Sequence, residues 1–437
     1  MMSESVQASV RPHECVDTYY ANKHNSEVQC FPAVVENRFV VALPSLSQAS
    51  TSTVTFNPDG AISDICLTVA LPVPQVSGAV GDVAGSGLGL TRGWLYQMID
   101  RISVRYAGSS LYFFGGEQSL IEVLAECEDS VKRDNMLALG GAELKTPADW
   151  ANVDLRTASI YLKLPHNSPS SQEKPIPFPT DALSAPVQIQ VAFKPFSQVF
   201  LANATTAGTL AQIQATIPNG FASGQVQFKQ AHLQDRADAI ASREDLSKHA
   251  LSIPLKNFMQ TQFVASLPSQ AVSSPQQINL TGFRSGSVQG IFVWAVANTD
   301  LQSATAKQPL RYLPIRSVEL SVNGLVYFTA SQNSAQIWDL VERKTACMYS
   351  STSLAWDAPS QGYLPTAMAG YFVWIPFAQG VETLRGESML SNGLGIANSV
   401  VNLSVDTGLV NTPCTLYASY LYNCTILASG GSCDYVF

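Results

Sequence analysis

Apolar residues along this chain recur with a period of two, the signature of strands that bury one face. In Ile65-Cys-Leu-Thr-Val-Ala-Leu71 the larger apolar groups take every second place. In Arg101-Ile-Ser-Val-Arg-Tyr106, Ile102, Val104 and Tyr106 fall on one side and Arg101, Ser103 and Arg105 on the other. Val318, Leu320 and Val322 alternate with Ser317, Glu319 and Ser321 in the same way. Turn residues separate the strands. Asn57-Pro-Asp-Gly60 joins a proline that presets φ to a glycine that accepts positive φ. Asn323-Gly324 is the strongest short hairpin signal in the chain. Helical periodicity is scarce. Ile121–Glu126 and Ile337–Glu342 place apolar residues at i, i+3 and i+4, which predicts two short helices packed on a sheet. A third, polar helix or turn is expected near Asp235–His249.

The pattern also occurs twice. Ile99-Asp-Arg-Ile-Ser-Val-Arg-Tyr-Ala-Gly108 returns 216 residues later as Ile315-Arg-Ser-Val-Glu-Leu-Ser-Val-Asn-Gly324. Each is followed by Tyr-Phe, at Tyr112-Phe113 and Tyr327-Phe328, and the two predicted helices keep the same interval. Val187–Val191 matches Val401–Val405 at 214 residues, and Ile160–Pro165 matches Tyr371–Pro376 at 211. The drift means that loops of different length join equivalent strands. The chain therefore reads as an all-β protein of two tandem copies, each a sandwich or a jelly roll, between which periodicity does not choose. The expected organisation is an N-terminal arm over 1–30, a first unit over 31–232, a junction over 233–249 and a second unit over 250–437. Ser45–Ser52, Gln75–Gly93 and Tyr349–Ala369 read as long loops, where partner contacts are expected.

Length agrees with two units, since 437 residues exceed one ordinary core. Charged residues make up only 13% of the chain, about half the usual ~25%. Such a surface suits a subunit that covers much of itself with partners. The net charge of −8 and the absence of any Lys/Arg run argue against a general nucleic-acid binder, and no direct sequence-specific nucleic-acid binding is expected. Eight cysteines contain no C-x-x-C pair, so reduced thiols are expected, with Cys66 as a small core residue. The first residues hold no apolar core of a secretory signal, and no run approaches the ~18 apolar residues of a membrane helix. A soluble protein made in the cytosol is expected.

Catalytic and metal signatures are missing. His13, His24, His166, His232 and His249 are too scattered for H-x-H or H-E-x-x-H. Gly85-Ser-Gly-Leu-Gly89 lacks the P-loop lysine, and Ser285–Gly290 fails the nucleophile-elbow spacing. Glu122 and Glu126 fit a solvated helix face better than an acid–base pair. Trp94, Trp356 and Trp374 could line a sugar-binding face, but core and interface packing explains them more simply. No catalytic residue, metal ligand or cofactor is assigned, and the chain is not expected to be an enzyme. Asn203, Asn279, Asn402 and Asn423 stand in N-x-[ST] sequons and are candidate glycosylation sites.

The repeated strand motif and the tail Tyr417-Ala-Ser-Tyr-Leu-Tyr-Asn-Cys-Thr-Ile-Leu-Ala-Ser-Gly-Gly431, ending in Asp434-Tyr-Val-Phe437, carry a resemblance. The chain resembles the double jelly-roll major capsid proteins of large eukaryotic DNA viruses, virophages and polinton-like viruses. Ala61–Ile65, the proline-rich Pro175–Pro179 approaching Val187–Val191, and the charged junction Leu233–Arg243 resemble the family in order. The family's Asn-Phe-Ser-Arg-Ile stretch has no counterpart, Glu387–Asn392 being nearest. The resemblance implies two tandem eight-stranded jelly rolls and a structural role in the virion. It implies homotrimers of nearly sixfold outline, tiling an icosahedral shell assembled in the host cytoplasm around a dsDNA genome. The implied partners are other copies, minor capsid proteins and penton proteins. Other readings are a minor or scaffolding capsid protein of the same fold, or a tandem jelly-roll carbohydrate-binding protein.

Overall fold

Strands form where β-branched and aromatic residues alternate with small polar ones, because one pleated face can then be buried while the other stays wet. The computed structural model describes residues 34–57, 60–73, 90, 92–106, 109–116, 119, 130–144, 147–162, 178–180, 186–196, 199, 220–233, 244, 251–268, 274–283, 288–297, 315, 317–331, 348–350, 370–377, 395–396, 398–407, 413–429 and 432–436. The first set of strands is β1 (Val34–Ala42), β2 (Thr51–Phe56), β3 (Ala61–Ala70), β4 (Ile99–Tyr106), β5 (Ser109–Phe114), β6 (Thr157–Tyr161), the two-residue β7 (Phe178–Pro179), β8 (Val187–Phe193) and β9 (Ser223–Leu233). The second is β10 (Leu251–Leu267), β11 (Gln276–Leu280), β12 (Val288–Ala297), β13 (Ser317–Val322), β14 (Leu325–Ser331), β15 (Met348–Ser350), β16 (Gly370–Pro376), β17 (Val401–Asp406), β18 (Cys414–Ser429) and β19 (Ser432–Val436).

The strand order identifies the architecture. One sheet of the first set runs β1-β9-β3-β6, with β7 beside β3, and the other runs β2-β8-β4-β5. Setting the short β7 aside and counting the strands one to eight, the sheets read 1-8-3-6 and 2-7-4-5. The second set gives β10-β18-β12-β16 and β11-β17-β13-β14, with β15 and β19 added to the first of these. Counted the same way without β15 and β19, they again read 1-8-3-6 and 2-7-4-5. All the strand pairings that join them are antiparallel. This is the order of an eight-stranded jelly roll, in which the chain wraps so that the first and last strands pair and sequence neighbours, except the fourth and fifth, lie in opposite sheets. The fold is all-β, two jelly rolls in tandem with a few short helices.

Each roll buries the alternate residues its sequence marks out. β8 and β17 occupy the same place in their rolls and show the same buried–half-buried alternation. β6 and β16 are likewise equivalent, so both strand matches found in the sequence are structural. Phe56 of β2 meets Phe228 of β9 edge-on across the first sandwich, with ring centroids 4.2 Å apart. In the second, Ile278, Leu280, Val318, Leu320, Leu403 and Val405 of one sheet pack with Val288, Ile291, Val293, Val373, Leu416 and Tyr420 of the other. Phe283 lies against the Tyr420 ring at 4.2 Å, and the Tyr420 hydroxyl donates to the Thr281 carbonyl at 3.0 Å. Burial pushes that phenol far above its ordinary range, with a smaller push from Tyr422, so it stays a neutral donor.

Several expectations need correction. Ser103 is buried with its neighbours Ile102 and Val104, its hydroxyl donating to Gln190 Oε1 at 3.3 Å. Ser45–Ser52 is shorter as a loop than expected, because β2 starts at Thr51. Its bend is closed by Ser52 Oγ donating to the Ser45 carbonyl at 2.5 Å. Three helices were not foreseen: α1 (Trp94–Met98), α2 (Ser130–Leu139) and α3 (Pro147–Ala151). They are too short for a clear 3.6-residue pattern, and α1 is buried on every side. Gly141, at φ +128, admits the Trp94 indole, which a Cβ there would strike. The helices expected at 121–126 and 337–342 lie outside the described residues, as does the one at 235–249 apart from Glu244.

Two tests follow from the core. Leu403 is fully buried on central strand β17, and its neighbour Ser404 faces out. Leu403→Ala is expected to cost about 2–5 kcal/mol in urea unfolding, whereas Ser404→Ala should shift stability by no more than about 0.5 kcal/mol. Cys414 is a free thiol, 3% exposed. Burial pushes its pKa from 9.0 to about 11. Since the folded value is the higher, its contribution to stability is whole below pH 9 and is lost as pH rises toward 11. Iodoacetamide at about pH 8, near the ordinary thiol pKa, should leave Cys414 unmodified in the folded chain and modify it in urea, read by mass spectrometry.

Candidate assembly surface

No group of three His, Cys, Asp or Glu positioned to hold a metal ion occurs among the described residues. Also among them, no helix is long and apolar enough to cross a membrane. Trp94 is buried in the core, and Trp356 lies outside the described residues. Of the sequons, Asn203 also lies outside. Asn279 of β11 and Asn402 of β17 are direct cross-strand partners, the first exposed and the second half-buried. They share the outer face of their sheet. Asn423 falls within β18. Asn423 thus stands in a different sheet from Asn279 and Asn402.

The fold presents a pair of equivalent sheet faces that differ in burial at their inner strands, while the edge residue Val264 of the second, at 52%, is exposed like Val40 of the first. On the outer face of the first roll's β1-β9-β3-β6 sheet, register places Val40, Gln227, Cys66 and Tyr161 in one row across four strands. Val40 is 59% exposed and Tyr161 43%. Cys66 points to this face rather than into the core, which corrects the sequence expectation. Alternation along β3 decides it, because Ile65, Leu67 and Val69 take the inward places. Partial burial raises its thiol pKa, against smaller lowering from hydrogen bonds to Thr68 and Ser159.

The corresponding row of the second roll is Val264, Tyr417, Trp294 and the Phe372 position. Here Trp294 is wholly buried, and Phe292, Ser419 and Leu421 of the same face are at most 1% exposed. Trp294 stacks on Tyr417 at 5.5 Å and 13°. Sequence reading missed this second buried face, although a signal was present. Ile291-Phe-Val-Trp-Ala295 is a continuous apolar run, the mark of a strand buried on both sides. Strand β5 of the first roll comes against β10 and β19, which flank β18 in this sheet. The inter-roll contact therefore reaches the same sheet.

A second exposed apolar feature is the β13–β14 hairpin. Asn323 (φ +51) and Gly324 (φ +80) make its turn, the left-handed pair that a two-residue hairpin with native twist requires. The turn is anchored to the segment before β17. Asn323 N donates to the Val400 carbonyl at 2.8 Å, and Val400 N donates to Asn323 Oδ1 at 3.0 Å. Beyond the turn, Leu325 is 76% exposed, Val326 61% and Tyr327 46%, with Val400 at 54% beside them. Tyr327 also holds the sheets together, its ring 5.3 Å from Phe377 and its hydroxyl donating to the Phe377 carbonyl at 3.3 Å. Three consecutive apolar residues on an edge strand form an unpaired, sticky border, which natural sheets ordinarily avoid.

No protein-family model matches the chain, and no curated protein matches it either. Solved structures do. VP54 of PBCV-1, fitted into a reconstruction of the virophage Sputnik, superposes with a TM-score of 0.59 at 12% identity, over 95% of this chain and 99% of that one. A chain of the Sputnik virophage gives 0.56 at 10% identity, over 94% and 90%. The Faustovirus major capsid protein gives 0.53 at 10% identity, over 93% and 92%. Identity this low establishes shared fold, and the coverage shows that both rolls and their order are shared. The chain is a double jelly-roll protein, with the fold of the Faustovirus major capsid protein.

Proposed function

We propose that this chain is the major capsid protein of a dsDNA virus. Three copies close into a ring of six rolls, a capsomer with threefold chemistry and nearly sixfold outline. Such rings tile a hexagonal lattice, and with penton and minor capsid proteins at its special positions the lattice closes into an icosahedral shell. The observation that carries this reading is the exact repetition of strand order, 1-8-3-6 facing 2-7-4-5, twice in one chain. A single roll serves a ligand-binding protein well enough. A tandem pair with matched frameworks and different edges is what a threefold object needs to meet six neighbours. The likeness to the Faustovirus major capsid protein over nearly the full length of both chains supports it.

Composition agrees. A charged fraction of 13% leaves little to keep a lone subunit soluble, and a subunit flanked on both sides hides much of its surface. With a net charge of −8, the genome is enclosed rather than gripped. The role is architectural and uses no catalytic residue. The virion is its location, with assembly in the host cytoplasm.

Native mass spectrometry tests the reading. Three times 46.9 kDa predicts a species of about 140 kDa. A stable monomer at every concentration, or a monomer retained by a glycan array, would contradict it.

A further inference from the structure

We infer that the tip of the β13–β14 hairpin is a lipid-contacting loop, which dips Leu325, Val326 and Val400 into the headgroup boundary of a bilayer. The inference goes beyond the capsomer reading and does not depend on it. The argument starts from the apolar residues at the tip. Leu325 is the most exposed large apolar side chain among the described residues, at 76%. Register pairs it with Val322, on the side of the sheet that carries Val318 and Leu320. Val326 pairs with Ser321, on the opposite side. Val400, exposed as well, belongs to the segment before β17 to which the turn is tied. The tip is therefore apolar on both sides of the strand and on its neighbouring segment. A partner laid against one face of the sheet would cover only part of this. A medium that is apolar all round covers the whole of it.

Polar groups of the tip are already satisfied, which lowers the cost of taking it out of water. Asn323 Oδ1 accepts from Val400 N, and Asn323 Nδ2 donates to Ser399 Oγ at 3.2 Å. The Asn323 N–H donates to the Val400 carbonyl, and the Tyr327 hydroxyl to the Phe377 carbonyl. No charged residue occurs from Leu320 to Thr329 or from Gly395 to Val405. A specific protein interface carries about one hydrogen bond per 100–200 Å², and the Asn323 and Tyr327 side chains are already engaged within the chain. What remains is apolar area without directional chemistry, which a lipid surface accepts. Tyr327 stands just behind the tip, where an aromatic ring with a polar end suits the headgroup level. Depth has a limit. β14 is the edge of its sheet, and a strand edge cannot enter hydrocarbon with its outward N–H and C=O groups unpaired. The tip therefore stops at the boundary of headgroups and acyl chains, where water still reaches the backbone.

The duplication supplies a comparison within the chain. β5 is the first roll's equivalent of β14, and at the motif's interval of 216 residues Leu325 and Val326 correspond to Ser109 and Ser110. The register is the same. Tyr106 opposes Ser109 and Arg105 opposes Ser110, as Val322 opposes Leu325 and Ser321 opposes Val326. The hairpin thus forms with two serines in these places, and folding does not require the aliphatic pair. The apolar pair serves something outside the fold, and it does so in one roll only.

Flotation of the full chain with phosphatidylcholine vesicles tests this. That lipid carries no net charge, as the tip carries none. The unaltered chain is expected to float with the vesicles. Leu325→Ser with Val326→Ser writes the first roll's pair into the second, and should lower the partition coefficient at least about tenfold. Leu325→Phe with Val326→Phe keeps the tip apolar and should bind at least as well as the unaltered chain. Val264→Ser, at an exposed apolar position of the other sheet, should leave binding unchanged. Melting curves check that each variant folds, and the phenylalanine pair reads the tip independently of the serine pair. An unaltered chain that stays in the soluble fraction, or a serine variant that floats as well as it does, would overturn the inference. So would a serine variant whose only change is the loss of a larger species in native mass spectrometry, which would make the tip a protein contact. A chain that floats but never assembles would contradict the capsomer reading and leave the lipid contact standing.

Discussion

The face-to-face burial of paired sheets is the interaction on which everything else here depends. Two pleated sheets about 10 Å apart leave room for one interdigitated layer of side chains, and the alternating residues of both rolls fill it. Each large aliphatic or aromatic group removed from water contributes about 1.5–3 kcal/mol. Strands such as β8 and β17 carry three or four inward positions each. Wrapping the chain so that first and last strands pair lets one continuous layer be shared by eight strands. The inner faces are thereby fixed, and the outer faces are left free to change.

That freedom explains how two copies of one fold came to differ. Leu403 and Ile189 do the same work in their rolls and could be exchanged with little consequence. Trp294 and Cys66, at equivalent places on the outer faces, could not. One is sealed and aromatic, the other half-open and small. The inner faces are alike in the two rolls, and the outer faces are where they differ. A duplicated domain is thus asymmetric where it meets other bodies and symmetric where it meets itself.

The framework was largely legible in the sequence, because period-two alternation reports directly on which face is buried. The motif pair at Ile99–Gly108 and Ile315–Gly324, the β8–β17 match and the Asn323-Gly324 turn were all read correctly from residues alone. The short helices were not legible. α1 holds five residues and is buried all round, so it presents no polar stripe to set a period. Cys66 was misplaced because a small sulfur side chain suits either face, and only its parity with Ile65 and Leu67 decides. The exposed apolar surface was hardest to see. Exposed apolar residues such as Leu325 and Val326 look in sequence like any buried strand, and only their exposure in the fold distinguishes them. The run Ile291-Phe-Val-Trp-Ala295 did carry information about a second buried face, expressed as the loss of alternation.

In the proposed shell role, packing is the chemistry that matters. On that proposal, specificity lies in which faces the fold closes and which it leaves open, and the charged fraction of 13% agrees with it. The central claim is that two rolls per chain build a six-roll ring, and a three-dimensional cryo-EM reconstruction of the purified assembly, calculated without imposed symmetry, tests it most directly. The account predicts six rolls around one axis, alternating between first and second, with threefold rather than sixfold equivalence. A particle with any other number of rolls, or with first rolls adjacent to first rolls, would contradict it.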